Sequence, residues 1–151
     1  MMNKAVIVYA SVHHGNTRKL AEAISERCGV DLIDVNMQQQ TDLSCYEIIG
    51  FASGIDFGRF YDGVERFLEE HLPAGKRVFF LYTCARPGGD FTKKMRTLAL
   101  ERDAVLLGEY GCRGYNTYGP LKLIGGTNKC HPTESEVETA ISFYEEIAGA
   151  Q

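Results

Sequence analysis

The 151-residue chain has the length and composition of one globular domain. Its formal net charge of −4, without a basic face or arm, argues against a nucleic-acid partner. No cleavable apolar segment opens the chain and no apolar run is long enough to cross a bilayer, so we expect a cytoplasmic protein without membrane insertion. The five cysteines lack the paired spacing of a metal site, which indicates reduced thiols.

Short β-rich runs alternate with amphipathic helical windows, a pattern typical of a parallel sheet covered on both faces. Asp31 and Asp34 interrupt the second run, which marks it as an edge strand. Strands are predicted at Ala5 to Ala10, Val30 to Val35, Glu47 to Ala52, Arg77 to Tyr82 and Ala104 to Tyr110.

Four helices are predicted between or after the strands, each with an apolar stripe that faces the sheet. No helix is evident between strands two and three. Thr133 and Glu136 have capping-box spacing at the start of the last helix. The stripes are Leu20, Ala21, Ile24 and Cys28; Phe60, Val64, Phe67, Leu68 and Leu72; Phe91, Met95, Leu98 and Ala99; and Val137, Ala140, Ile141, Tyr144 and Ile147.

A long Gly-rich connection runs from Gly111 to His131, with one helical turn expected at Pro120 to Ile124. Segments of this length inside a small domain are often functional. We expect its apolar side chains to cover the edge of the sheet rather than to dock a partner, because such side chains usually pack internally.

The junction between the first strand and the first helix has the composition of a phosphate-binding loop. The first N–H groups of a helix lack intrahelical acceptors and carry partial positive charge, which suits an anion. Hydroxyls, imidazoles and a glycine add donors and allow close approach of the backbone. The alternative is a plain connection in which Asn16 caps the helix. The segment reads Ser11, Val12, His13, His14, Gly15, Asn16 and Thr17.

Two adjacent histidines beside a phosphate titrate near their ordinary pKa of about 6.5. We expect one of His13 and His14 to contact the ligand and the other to face solvent. Affinity for the phosphate should therefore fall modestly as the pH rises through neutrality.

Two further loops should converge on the same edge, because ligands bind beyond the carboxyl ends of parallel strands. After the third strand, two glycines permit a tight turn and Phe57 offers a flat face to a planar ring; a core plug over the second helix is the equal alternative. After the fourth strand, the backbone groups of the loop could contact the polar edge of a ring. The alternative is that this loop is a plain turn. The segments are Ser53, Gly54, Ile55, Asp56, Phe57 and Gly58, and Thr83, Cys84, Ala85, Arg86, Pro87, Gly88, Gly89 and Asp90.

With these loops in view, the chain resembles the flavodoxin family. Gly15, Asn16 and Thr17 match the end of that family's FMN phosphate loop, and the glycine loop after strand three is the second match. The resemblance implies an α/β, flavodoxin-like, three-layer doubly wound sandwich, with five parallel strands in the order 2-1-3-4-5. It also implies an electron carrier that binds FMN and shuttles electrons between redox partner proteins.

The cofactor contacts implied by the resemblance come from all three loops, with neither a catalytic residue nor a metal ligand. They are Ser11 to Thr17, Ser53 to Gly58, and Thr83, Cys84, Ala85, Arg86 and Gly89. The first loop is one residue longer than the usual flavodoxin version, and its two histidines stand where hydroxyl residues are expected. The chain also has no Trp to stack on the flavin.

Two alternatives to the carrier stay open. The longer first loop and the stretch from Ser53 to Phe60 resemble flavodoxin-like, quinone-coupled protoporphyrinogen oxidases, although the extended late insertion of those enzymes is missing. An FMN-dependent oxidoreductase of that kind is therefore one alternative. A binding module of the same fold that has lost FMN is the other, and the doubled histidine supports it.

Three rival classes lack their required residues. Phosphoacceptor receivers need acids and a lysine near the positions of Ser11, Ser53 and Gly111. A dinucleotide site needs three spaced glycines in the first turn, and this turn has one. A cysteine phosphatase needs an arginine six positions after its nucleophile, and neither Cys84 nor Cys112 has one.

The resemblance supports two hypotheses about flavin reduction. The backbone from Gly54 to Asp56 is expected to reorient on reduction, because Gly54 is conformationally free. Positive charge on Arg86, Lys93 and Lys94 should soften the repulsion of an anionic reduced flavin and so raise its second potential relative to strongly acidic flavodoxins.

Overall fold

A computed structural model of the protein describes residues 4–10, 15–37, 41–114 and 131–149. Strands and helices alternate as the hydrophobic pattern predicts. The elements are β1 (Ala5–Ala10), α1 (Asn16–Cys28), β2 (Asp31–Asp34), β3 (Ile48–Asp56), β4 (Arg59–Phe60), α2 (Asp62–His71), β5 (Arg77–Cys84), α3 (Lys93–Leu100), β6 (Val105–Arg113) and α4 (Glu134–Gly149).

The sheet has the strand order β2-β1-β3-β5-β6, with every neighbouring pair parallel. This confirms the predicted order 2-1-3-4-5 for the five parallel strands, and it confirms that β2 lies at an edge. The short strand β4 is an addition that pairs antiparallel with the end of β3. Because the chain reverses its direction of winding at β1, the crevice for a ligand lies beyond the carboxyl ends of β1 and β3.

Helices cover the sheet on both faces. Side chains alternate along each strand, so Phe51 and Phe80 pack under α2 and α3, whereas Ile7 and Phe79 pack under α1 and α4. Two buried apolar clusters result, one on each face, as the three-layer prediction requires. Within the described ranges, every helix is too short or too polar to cross a membrane.

Several element boundaries differ from the predictions. The strands β3, β5 and β6 continue to Asp56, Cys84 and Arg113, beyond the predicted ends, because neighbouring strands keep pairing there, as Gly54 does with Thr83. Residues 53–56, 83 and 84, predicted as loops, are therefore strand ends.

Two aromatic residues predicted on helices lie outside them. Phe60 lies in β4 opposite Ile55, and Phe91 lies in the turn before α3. Their spacing fits a helix, but antiparallel pairing determines the backbone at Phe60. The expected helical turn at Pro120 to Ile124 lies outside the described residues, as does most of the connection that contains it.

Candidate functional site

The start of α1 is capped by a glycine. Gly15 adopts a left-handed conformation with φ 65° and ψ 30°, and its carbonyl accepts the N–H of Lys19 at 3.1 Å. Asn16 is the first helical residue, so the alternative in which Asn16 is the cap is wrong, and Gly15 has no side chain with which to cap the helix. The other predicted residues of this loop, Ser11, Val12, His13 and His14, lie outside the described residues.

Thr17 and Thr83 meet between the first helix and the end of β5. Both side chains are buried, and their hydroxyl oxygens lie 2.9 Å apart. Residues predicted from two separate loops are therefore brought together by the fold.

Gly114, which sequence reasoning missed, completes this junction. Its N–H donates to the carbonyl of Cys84 at 3.0 Å, and a Cβ at this position would lie 2.6 Å from Nδ2 of Asn16. Only glycine lets β6 end so close to α1. The available signal was a glycine directly after a strand in an open parallel sheet, where ligand sites form.

The segment after strand three is a β-hairpin rather than a loop. Asp56 pairs with Arg59, and the two turn residues between them, Phe57 and Gly58, have φ of 52° and 78°. Two consecutive positive φ values are typical of a type I′ turn, which matches the twist of the strands it joins. The signal in the sequence was an X-Gly pair, with Ile55 and Phe60 at equal distances on either side.

The hairpin presents Phe57 to solvent. The Phe57 side chain is 88% exposed, so its interpretation as a core plug is wrong. The side chain that fills this part of the core is Phe60, which is buried against Phe80 and Tyr82. A ligand that approaches this edge therefore meets a bare aromatic face.

Salt bridges hold the hairpin in place. The Arg59 guanidinium lies 2.5 Å from the Glu65 carboxylate, which is buried on α2, and 3.7 Å from that of Asp62. Because a bidentate pair of this kind restricts orientation, the turn is fixed relative to α2.

Ser53 and Gly54 shape the base of the hairpin. The buried Ser53 hydroxyl accepts the N–H of Tyr61 at 2.9 Å and donates to the carbonyl of Gly54 at 2.5 Å. A Cβ on Gly54 would collide with the Tyr61 ring. Gly54 is thus a close-packing residue inside the sheet rather than a conformationally free one, and this removes the reason given for the predicted backbone reorientation.

The third segment leaves the sheet at Cys84, and Ala85, Arg86 and Gly89 are exposed. Its far end is anchored, since Asp90 accepts two hydrogen bonds from Arg96 at 2.7 and 2.9 Å. The Arg96 guanidinium lowers the pKa of the Asp90 carboxyl. The segment is therefore fastened at both ends.

A second contact ties the same segment to the edge of the sheet. The hydroxyl of Thr92, which is fully buried, donates to the Glu109 carboxylate on β6 at 2.6 Å, and Arg96 also contacts Thr92. A planar ligand placed between the hairpin and this segment would meet two fixed walls.

The two thiols near this edge are buried. Cys112 is the register partner of Thr83, so Cys84 and Cys112 point to opposite faces of the sheet. Burial raises the pKa of both thiols, that of Cys112 to about 12, and both are protonated at neutral pH. In the ranges that the structure describes, the cysteines are free thiols, and no cluster of three His, Cys, Asp or Glu side chains could hold a metal.

The same fold occurs in known proteins. The family model described as flavodoxin domain matches residues 6–106. An uncharacterized protein of Methanocaldococcus jannaschii is 36% identical over 146 residues, which cover 95% of this chain and 97% of that protein. Among solved structures, oxidised flavodoxin 1 of Bacillus cereus has a TM-score of 0.70 at 17% identity, covering 98% and 99% of the two chains. A Lactobacillus acidophilus flavoprotein in complex with FMN has a TM-score of 0.57 at 15% identity, covering 72% of this chain and 93% of its own.

Proposed function

The chain belongs to the flavodoxin family, and from this premise we propose that it binds FMN and carries electrons between redox proteins. FMN supplies one- and two-electron chemistry when bound, and the protein supplies its orientation and electrostatics. The proposal depends most on one observation, the buried contact between Thr17 and Thr83, which joins the Gly15-capped start of α1 to the end of β5.

The residues at this edge fit FMN. The N-terminal amides of α1 and the left-handed Gly15 suit the phosphate, and a Cβ placed on Gly15 would meet no atom of the described residues within 4 Å. The exposed Phe57 ring suits stacking on the flavin, since aromatic faces favour offset contact with planar rings. The protonated thiols of Cys84 and Cys112 leave the redox chemistry to the cofactor.

The test is a fluorescence titration of the purified chain with FMN and, as a matched control, with riboflavin, which lacks the phosphate. We expect one-to-one binding of FMN and affinity for riboflavin weaker by roughly a hundredfold, since charge-assisted hydrogen bonds to the phosphate are lost. Equal affinities would contradict the role assigned to α1. Failure to bind FMN at all would favour the binding module.

A second assay separates the carrier from the oxidase. If the FMN-loaded protein is a carrier, it should exchange electrons with redox proteins and show no quinone-dependent oxidation of protoporphyrinogen. Sustained turnover of protoporphyrinogen would replace the carrier with the enzyme.

A further inference from the structure

A groove of about 320 Å³ lies between the β3–β4 hairpin and the first turns of α3. It shares Gly58 with the hairpin turn, where Gly58 follows the exposed Phe57 in sequence, and none of its lining residues belongs to α1. Most of its surface is apolar and includes the ring of Phe91. Its lining residues are Gly58, Arg59, Asp90, Phe91, Lys93, Lys94 and Thr97.

The lining is positive although the chain carries a net charge of −4. Three of its residues are cations and one, Asp90, is an anion whose carboxylate is bound by Arg96. Arg59 is engaged by Glu65. Lys93 and Lys94 are exposed, and in the described part of the chain no carboxylate lies within salt-bridge distance of either, although the charge of Lys93 acts on the Asp90 carboxyl and helps Arg96 to lower its pKa.

The position of these two lysines is unfavourable for the helix. They open α3, whose first turn contains no acidic residue, and cations at a helix N-terminus are repelled by the macrodipole. By contrast, α2 begins with Asp62 and Glu65 in its first turn, and α4 with Glu134 and Glu136. An anionic surface placed over Lys93 and Lys94 would relieve this local repulsion.

We propose that the groove docks an acidic electron-transfer protein. Carboxylates of the partner face Lys93 and Lys94, and an apolar partner side chain enters the groove beside Phe91. The proposal rests on the proposed function, because docking here places a partner against the hairpin that flanks the flavin site. A protein fits better than a small anion, since the groove opens to solvent and is lined by Gly58, the residue that follows the exposed Phe57 in the hairpin turn.

The experiment uses the full chain labelled with ¹⁵N and titrated with zinc-substituted rubredoxin, a small acidic protein without redox activity. We expect amide shifts concentrated at Gly58, Lys93, Lys94 and Thr97, with affinity that falls as salt is added. Zinc-substituted cytochrome c, which is basic, is the probe of opposite charge and should bind more weakly.

The test variant is Lys93→Glu/Lys94→Glu, and the matched control is Lys19→Glu/Arg66→Glu. The control makes the same change in net charge at exposed positions on α1 and α2, outside the groove. We expect the test variant to bind zinc rubredoxin about tenfold more weakly than the original chain, because two exposed charge contacts become repulsive. The affinity of the control variant should fall by less than about twofold. The test variant should fold, because acidic residues suit the start of α3.

The proposal is overturned by equal weakening in the control variant, by shifts centred elsewhere, or by tighter binding of the basic protein. If benzoate binds as tightly and shifts the same amides, the groove is a small-anion site and docking is wrong. The titrations need no flavin. Docking without FMN binding would therefore refute only the proposed function, and FMN binding without docking would refute only this inference.

Discussion

The hydroxyl oxygens of Thr17 and Thr83 lie 2.9 Å apart, in buried space between the start of α1 and the end of β5. Two hydroxyls carry two protons, and their mutual hydrogen bond uses one of them. Among the residues that the structure describes, the other proton has no recorded acceptor, so it can be donated to an oxygen of a ligand. Under the proposed function, this contact joins the segment proposed for the phosphate to the segment proposed for the flavin ring.

Replacing either threonine of this pair alone should lower the free energy of unfolding by more than half of the loss caused by replacing both. Thr17→Val or Thr83→Val leaves the other hydroxyl buried without its partner, so we expect the free energy of unfolding to fall by about 1–3 kcal/mol in each single variant. The double variant should lose clearly less than the sum of the two. Urea unfolding measures all three, and additive losses would show that the hydroxyls do not interact.

Phe57→Asn should change the stability of the fold and the affinity for FMN in opposite directions. Asn tolerates the positive φ of 52° at this turn, and the Phe57 ring has little packing to lose, so unfolding should become less favourable by about 0.5–1 kcal/mol. FMN affinity should fall by roughly tenfold as the stacking face disappears.

A useful control for Phe57→Asn is Leu100→Asn. Leu100 is also an exposed apolar residue, but it lies at the end of α3. It should leave FMN affinity unchanged. Unchanged FMN affinity in Phe57→Asn would remove Phe57 from the flavin site.

Gly54→Ala should destabilise the fold by steric overlap. The new Cβ meets the Tyr61 ring, and overpacking of this kind costs about 1–3 kcal/mol. Gly58→Ala is the comparison, because no atom of the described residues lies within 4 Å of its Cβ and its cost of about 1 kcal/mol comes from a φ of 78°. Thermal unfolding distinguishes the two if Tyr61→Leu rescues only the Gly54 variant; rescue of both would contradict the steric explanation.

The capping box of α4 should make stability depend on pH. Thr133 N–H donates to the Glu136 carboxylate at 2.8 Å, and Glu136 N–H donates to the Thr133 hydroxyl at 3.1 Å, which confirms the predicted pair. Burial alone raises the pKa of Glu136, but hydrogen bonds from Thr133 and His131 hold it below its ordinary value.

A carboxyl whose pKa is lowered by folding stabilises the protein above its unfolded pKa of about 4.3, and that stabilisation disappears as the pH falls through the folded value. Glu136→Ala should therefore cost about 1 kcal/mol at pH 7 and progressively less below pH 4. Denaturant unfolding of the original chain and of Glu136→Ala across this pH range measures the difference in stability. A difference that increases toward acidic pH would contradict the prediction.

Local patterns were sufficient for much of this protein. Apolar periodicity predicted the strands and the order of elements, because burial on one face of a helix or both faces of a strand imposes its own spacing on the chain. The capping box at Thr133 and Glu136 was also visible, since both partners lie within one helical turn. Loop composition pointed to the start of α1 and to a flavodoxin-like site.

Contacts between distant segments decided the rest. Where β3 and β5 end depends on their pairing with each other, and the path of the chain at Phe60 depends on Ile55 across the hairpin. Exposure of Phe57 and the approach of Gly114 to Asn16 follow from the same packing. Hydrophobic spacing reports which face of an element is buried, but only the assembled neighbours determine where an element stops and which side chain is left facing solvent.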